Sequence, residues 1–180
     1  MLALADMSAM EMAAQAVALI ALGLCIVGFA STRDDRLMLA LIGANVAFAA
    51  QYALFQSWTA AVLTVLVILR IDLARRFRGN VAVMLGMLAL SGAAAALTWQ
   101  SWIDLFPVMA MLLGTLGMFL LRGISMRVLL AGAGLAWMAN NIAIGSLGAT
   151  LAEAMVVVTN FVTILRLMRM RRRYPGVDLT

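Results

Sequence analysis

The residues that could do chemistry are few, and most fall inside apolar stretches. Glu153 stands in the run from Ala149 to Leu165, and Asn160 follows seven residues later, two helical turns along the same face, with Val156, Val157 and Thr163 beside them. A carboxylate at that depth in an apolar segment is costly, so it faces a bundle interior or a wet cavity, protonated or paired. Two roles fit: a group that takes a solute or a proton, or a packing acid hydrogen-bonded to a neighbouring helix. Trp137 and Asn141 lie four apart on another stretch, next to Asn140, with Gly134 one turn above. An indole beside amides suits a small polar solute, while buried asparagine also holds helices together at roughly 0.6 to 2 kcal/mol per contact. Asn45, Ala49, Tyr52 and Gln56 form a comparable polar stripe in the first half of the chain. Two such stripes facing each other would make a path.

Arg70 either snorkels to a membrane surface beside Asp72, as long basic side chains do by default, or closes the inner end of such a path as a gate. The Gly-x-Gly within Ala131 to Gly134 has no preceding strand and no third glycine, so it reads as a helix-packing surface and not a phosphate loop. With no His and a single cysteine, Cys25, an internal disulfide, a thiolate zinc site, a His-bound haem and a His-based triad are all excluded. Cys25 reads as a small buried apolar side chain. One intramembrane acid without histidine, a second carboxylate or a reactive thiol is too little for an enzyme, and no cofactor or metal is expected.

These residues need elements to hold them, and composition decides the solvent. Of 180 residues 66% are apolar and 12% charged, and mean hydropathy is +1.06, which makes lipid the solvent and excludes a soluble domain. Apolar runs give seven candidate spans: Ala13 to Ala30, Leu37 to Phe55, Thr59 to Leu73, Val81 to Leu97, Leu105 to Leu121, Val128 to Ile144 and Ala149 to Leu165. The arginines provide an independent check. All 13 basic residues are arginine, and they fall after the first, third, fifth and seventh spans: Arg33 and Arg36; Arg70, Arg75, Arg76 and Arg78; Arg122 and Arg127; Arg166, Arg169 and Arg171 to Arg173. Cytoplasmic loops carry the positive charge, so the amino terminus is expected outside and the carboxyl terminus inside. That placement removes the nucleic-acid reading of the net charge of +5. The last cluster would rest on anionic lipid. Trp58, Trp99 and Trp102 fall at the opposite ends of the spans, as an interfacial aromatic belt requires. Met1 to Met12 carry Asp6 and Glu11 but no arginine, unlike a secretory leader.

Spacing suggests duplication. The second and sixth spans run to short outer turns, Gln56-Ser57-Trp58 and Gly145-Ser146-Leu147-Gly148, and the third and seventh return to arginine clusters. A shift of about ninety residues places Arg76 on Arg166, Gln51 on Asn141 and Gln56 on Ser146. Two three-span units separated by one span have the same orientation, which makes a parallel repeat about an axis along the membrane normal. The expected fold is therefore all-α and integral to the membrane, seven transmembrane helices in a 3+1+3 arrangement. Residues 13–73 form the first bundle, 81–97 a linker helix, 105–168 the second bundle and 169–180 a cytoplasmic basic tail.

The stretch LFPVMAMLLGT from Leu105, RGISMR ending at Arg127, and WMANNIAIGSLGATLAEAMVVVTNFVTILRLMRM to Met170 resembles the YgjV family of bacterial inner-membrane proteins, and the first half from Gln15 through STRDDR to Arg70 is similar more loosely. The resemblance implies a multi-pass protein of the bacterial inner membrane, with kinship to the SWEET and PQ-loop transporters. The Pro-Gln pair of that group is absent, Ala16-Val17 standing in the first span where a proline would hinge it, and only Pro107 remains, near the outer end of the fifth span, which counts against a symmetric rocking hinge. The function expected is a small-solute transporter or facilitator with a polar path between the bundles. Its candidate binding residues are Glu153, Asn160, Asn141, Trp137, Asn45 and Tyr52, with Arg70 and Pro107 as gate or topology anchor. The alternative is a non-transporting membrane scaffold or assembly partner. Lipid and a small polar solute are the expected partners, nucleic acid is not, and a homo-oligomer stays open.

Overall fold

A computed structural model describes residues 8–30 and 34–173. Arg33 and the last seven residues of the basic tail lie outside the described residues, as do Asp6 and the side chains of Arg36 and Arg171 to Arg173. Among the described residues there are seven α-helices, one 3₁₀ turn and no strand: α1 Ala9–Ala30, α2 Asp34–Leu54, α3 Trp58–Arg76, α4 Val81–Thr98, α5 Leu105–Leu120, α6 Gly123–Ala143 and α7 Leu147–Arg173. The 3₁₀ turn, Trp102–Asp104, leads into α5. Among the described residues, four segments are long and apolar enough to cross a membrane: Ala9–Val27, Val81–Thr98, Trp102–Leu120 and Leu147–Met170. Leu39–Leu54 is a shorter apolar helix.

The helix starts are built by short polar side chains that satisfy free backbone N–H groups. Ser8 and Glu11 form a reciprocal box before α1: Ser8 N–H donates to Glu11 Oε2 at 2.7 Å and Glu11 N–H to Ser8 Oγ at 3.2 Å. Asn80 Oδ1 accepts from Val83 N–H at 3.1 Å to open α4. Asp104 is buried because it folds back to accept from Gln100 and Ser101 N–H at 2.7 and 2.9 Å. Pro107 follows in the first turn of α5, where its missing N–H removes no helical hydrogen bond. It is fully buried in that turn.

The α2–α3 and α6–α7 turns share one geometry. Gln56 has φ 58° and Gly145 φ 77°. Phe55, Gln56 and Ser57 N–H donate to the carbonyls of Gln51, Ala53 and Tyr52, and Ile144, Gly145 and Ser146 N–H to those of Asn140, Ile142 and Asn141. Each residue of one turn is matched 89 positions later, the separation of Tyr52 from Asn141. Both ends of α2 and α6, and the starts of α3 and α7, obey the same shift. The register is therefore 89 rather than ninety: the left-handed turn residue fixes it, aligning Gln56 with Gly145 and Gln51 with Asn140.

Packing follows chain order within each triplet, α2 lying against α1 and α3, and α6 against α5 and α7. The triplets meet where α1 packs on α7 and α3 on α5, which closes a ring of six helices. α4 packs on α3 and α5. Small side chains allow these approaches. Ala14, Ala18, Ala21, Ala44, Ala60, Ala110, Ala149 and Ala152 are all buried, while Leu39, Val27, Leu97, Ile142, Val158 and Phe161 face outward. The closest approach is at Gly148, where an added Cβ would lie 2.7 Å from the backbone carbon of Ala18. Large apolar groups outside and small or polar groups inside is the distribution expected of a protein dissolved in lipid.

Candidate functional site

A cavity of about 240 Å³ lies inside the ring, walled by α2, α3, α6 and α7. Five of the six candidate binding residues, Asn45, Tyr52, Trp137, Glu153 and Asn160, line it, and Arg70 joins them. Asn141 sits just outside the lining, fully buried, and its Oδ1 accepts from Tyr52 Oη at 2.8 Å. Pro107 is elsewhere, in the first turn of α5. Gln56 is exposed at the turn and takes no part in the Asn45–Tyr52 stripe, because α2 ends at Leu54. A second cavity of about 210 Å³ between α3, α4 and α5 is lined by Leu63, Leu88, Ser91 and other mostly apolar groups and offers little polar chemistry.

Arg70 does not snorkel. It is 6% exposed, Nη1 approaches the Met111 sulfur at 3.3 Å and Nε has no hydrogen-bond partner. The space it occupies exists because Gly114 lacks a side chain: a Cβ there would collide with the guanidinium. Asp72, the partner a surface-directed Arg70 would have used, pairs with Arg76 at 2.9 Å instead. Glu153 projects from α7 toward α6, with Oε2 3.4 Å from where a Gly134 Cβ would lie. Asn45 and Asn160 each donate to a carbonyl of their own helix, Leu41 at 2.8 Å and Val156 at 3.0 Å. Their amide oxygens have no partner among the described residues. Tyr52 and Trp137 stack on each other in the cavity wall, with centroids 5.7 Å apart and planes 15° from parallel.

The lining obeys the 89-residue register. Leu41 and Leu130, Asn45 and Gly134, Phe48 and Trp137, Thr64 and Glu153, Val67 and Val156, and Ile71 and Asn160 all face it, six matched pairs drawn from the two halves of the chain. Tyr52 and Asn141, also a matched pair, are bonded to each other directly. Gln51 Nε2 donates to Ser146 Oγ at 2.9 Å nearby. The halves also brace each other's turns at this end. Gln15 of α1 donates to Gly145 carbonyl at 2.5 Å and accepts from Leu147 N–H at 3.1 Å, and Gln100 before α5 accepts from Trp58 N–H, the matched position, at 3.4 Å. These contacts seal the tryptophan end of the cavity. Gln51 Oε1, both side-chain polar atoms of Asn140 and Asn141 Nδ2 are buried there without partners. Gln51, Gln15, Thr64 and Phe48 were not singled out by sequence reasoning. The signal that would have found them is the pair Gln56-Ser57 and Gly145-Ser146, whose shared serine sets the register.

Inner membrane protein YgjV of Escherichia coli (strain K12) is 26% identical over 165 residues, covering 92% of this chain and 88% of that protein. No solved structure matches. The bacterial inner membrane protein family Imp-YgjV matches residues 12–171, nearly the whole chain. The helical cavity described above therefore belongs to a bacterial inner membrane protein, and the chain is a member of the YgjV family.

Proposed function

We propose that the chain is a small-solute transporter or facilitator of the inner membrane. In this reading it crosses the bilayer seven times, with residues 13–73 and 105–168 as two parallel three-helix bundles, α4 as the linker, the amino end outside and the arginine-rich carboxyl end in the cytoplasm. The observation that carries the reading is a cavity lined by six register-matched pairs, with a carboxylate and a guanidinium in its wall. Matched pairs surround a cavity only when it lies on the axis relating the halves, and sites between repeats at mid-membrane depth are where rocking of one bundle on the other changes access. Interhelical glue alone accounts for Tyr52–Asn141 and Gln51–Ser146, but leaves two ionisable groups facing a void.

In the described conformation the tryptophan end is closed by cross-half hydrogen bonds, of which Tyr52–Asn141 and Gln51–Ser146 are the two buried ones. At about 0.6 to 1.7 kcal/mol each, they hold a closed state without locking it. Opening separates α2 from α6 there, leaving Gln15 and Gln100 to release the neighbouring turns. Arg70 and Glu153 would hold the solute while access changes.

Two measurements test this. Protein-dependent uptake by proteoliposomes, screened over pooled small polar solutes, is expected for wild type and is lost in Glu153→Gln, whose near-isosteric amide preserves the fold. A wild-type uptake rate in Glu153→Gln at every pH removes Glu153 from the mechanism, and no uptake of any pool favours the scaffold reading. Cysteine accessibility in a Cys25→Ser background should place residues 57, 101 and 147 outside and 79 and 124 inside. Labelling of position 57 from the inside alone overturns the seven-span topology.

A further inference from the structure

The cavity is lined by two ionisable groups of opposite sign, Arg70 and Glu153, and no ion pair or hydrogen bond joins them among the described residues. The Arg70 guanidinium rests over Gly114 of α5, whereas the Glu153 carboxylate lies by Gly134 of α6. Arginine stays charged in proteins, and the one contact recorded for its head group is a thioether, a weak acceptor. A buried guanidinium without an anion is expensive. Glu153 accepts no hydrogen bond from any described residue. Both groups therefore line one cavity with hydrogen-bonding capacity to spare.

We propose that the solute bound here is a small amino-acid-like zwitterion, its carboxylate on Arg70 and its ammonium on Glu153. This rests on the transport reading above and names its substrate class. An anion alone would satisfy Arg70 but lie near a second carboxylate; a cation alone would do the reverse; a neutral polyol would leave both charges unpaired. A bidentate guanidinium–carboxylate contact supplies directional recognition for one end. Trp137, one turn from Gly134 on α6, presents an aromatic ring on the Glu153 side, where an ammonium is favoured over an anion. A volume of about 240 Å³ corresponds to roughly eight waters at about 30 Å³ each, which limits the solute to about the size of leucine. The apolar part of such a molecule would lie against Phe48, Val67 and Val156.

The test is calorimetric titration of the full-length protein in lipid nanodiscs with L-leucine and three probes that keep its branched apolar chain: isocaproate, isoamylamine and isocaproamide. L-leucine is expected to bind at least about tenfold tighter than the other three. Glu153→Gln should shift preference to isocaproate, because the guanidinium is then the one charge left, and Arg70→Met should shift it to isoamylamine. Equal binding of all four probes by wild type, tighter binding of isocaproamide, or unchanged selectivity in both variants overturns the proposal. The wild-type ranking decides the matter even if a variant does not fold. Binding or uptake of a neutral solute alone refutes the zwitterion while leaving transport intact. The absence of any binding here, together with no uptake of any pool, refutes both.

Discussion

The bond between Tyr52 and Asn141 joins the two halves of the chain at matched positions, and its energy can be measured by a double-mutant cycle. Both residues are buried, at 3% and 0% exposure, and Tyr52 Oη donates to Asn141 Oδ1 at 2.8 Å. Asn141 Nδ2 already lacks a partner, so losing the hydroxyl would leave the whole amide unsatisfied. Interhelical hydrogen bonds in membrane proteins average about 0.6 kcal/mol and reach about 1.7. A group stranded without water costs about 1–3 kcal/mol. Burial and short length place this bond at the upper end, so Tyr52→Phe is expected to destabilise by about 1.5 kcal/mol. Stacking on Trp137 survives that change, since the ring remains. In an Asn141→Ala background the same Tyr52→Phe change should be nearly neutral, giving a coupling of about 1–1.5 kcal/mol. Unfolding titrated with dodecyl sulfate in mixed micelles reads all four corners of the cycle. A coupling below about 0.3 kcal/mol would refute the argument that this contact holds the outer end of the cavity closed.

Three further outcomes follow from the glycines and the outer turns. Gln56→Gly should stabilise the protein by roughly 0.5–1 kcal/mol in the same titration, because an exposed non-glycine residue at φ 58° carries strain that glycine lacks, as Gly145 shows at the matched turn. Gly114→Ala should change stability by less than about 1 kcal/mol, since the collision is with the movable end of Arg70, but should displace the guanidinium and abolish solute binding; unchanged binding would remove Arg70 from the site. Gly148→Ala should destabilise by about 1–3 kcal/mol, because its Cβ meets the rigid Ala18 backbone and α1 must move off α7; a neutral result would show that these helices do not approach so closely.

Hydropathy located the middle of each helix and missed several ends for one reason. It measures preference for lipid, and a helix does not stop where lipid does. α4 and α5 were read to within a residue, since Asn80 and Asp104 are both polar breaks and cap residues. α7 runs on to Arg173, beyond the last apolar residue of its span at Leu165, because arginine is a good helix former once outside the apolar zone. α6 begins at Gly123, before Val128, in the same way. The polar stripes on α2, α6 and α7 were legible from spacing, and the structure brings five of their residues to one cavity. The inward turn of Arg70 was not legible. It depends on Gly114, 44 positions away on another helix, and no local pattern connects the two.

The matched pairs around the cavity differ from one another in a way that bears on what it could hold. Leu41 with Leu130 and Val67 with Val156 are identical pairs, and Phe48 with Trp137 keeps an aromatic ring in each half. The charges break the pattern. Glu153 is matched by Thr64, a neutral hydroxyl that donates to its own helix at Ala60, and Arg70 by Thr159, which is exposed and bonded to Met155. A cavity on a two-fold axis with duplicated charges would offer a solute two equivalent orientations, each with two like charges facing. With one carboxylate and one guanidinium, a dipolar solute has one preferred orientation, and the apolar pairs can still rock as equivalents on either side of it. On the transport reading, the frame that moves is two-fold and the chemistry that binds is not.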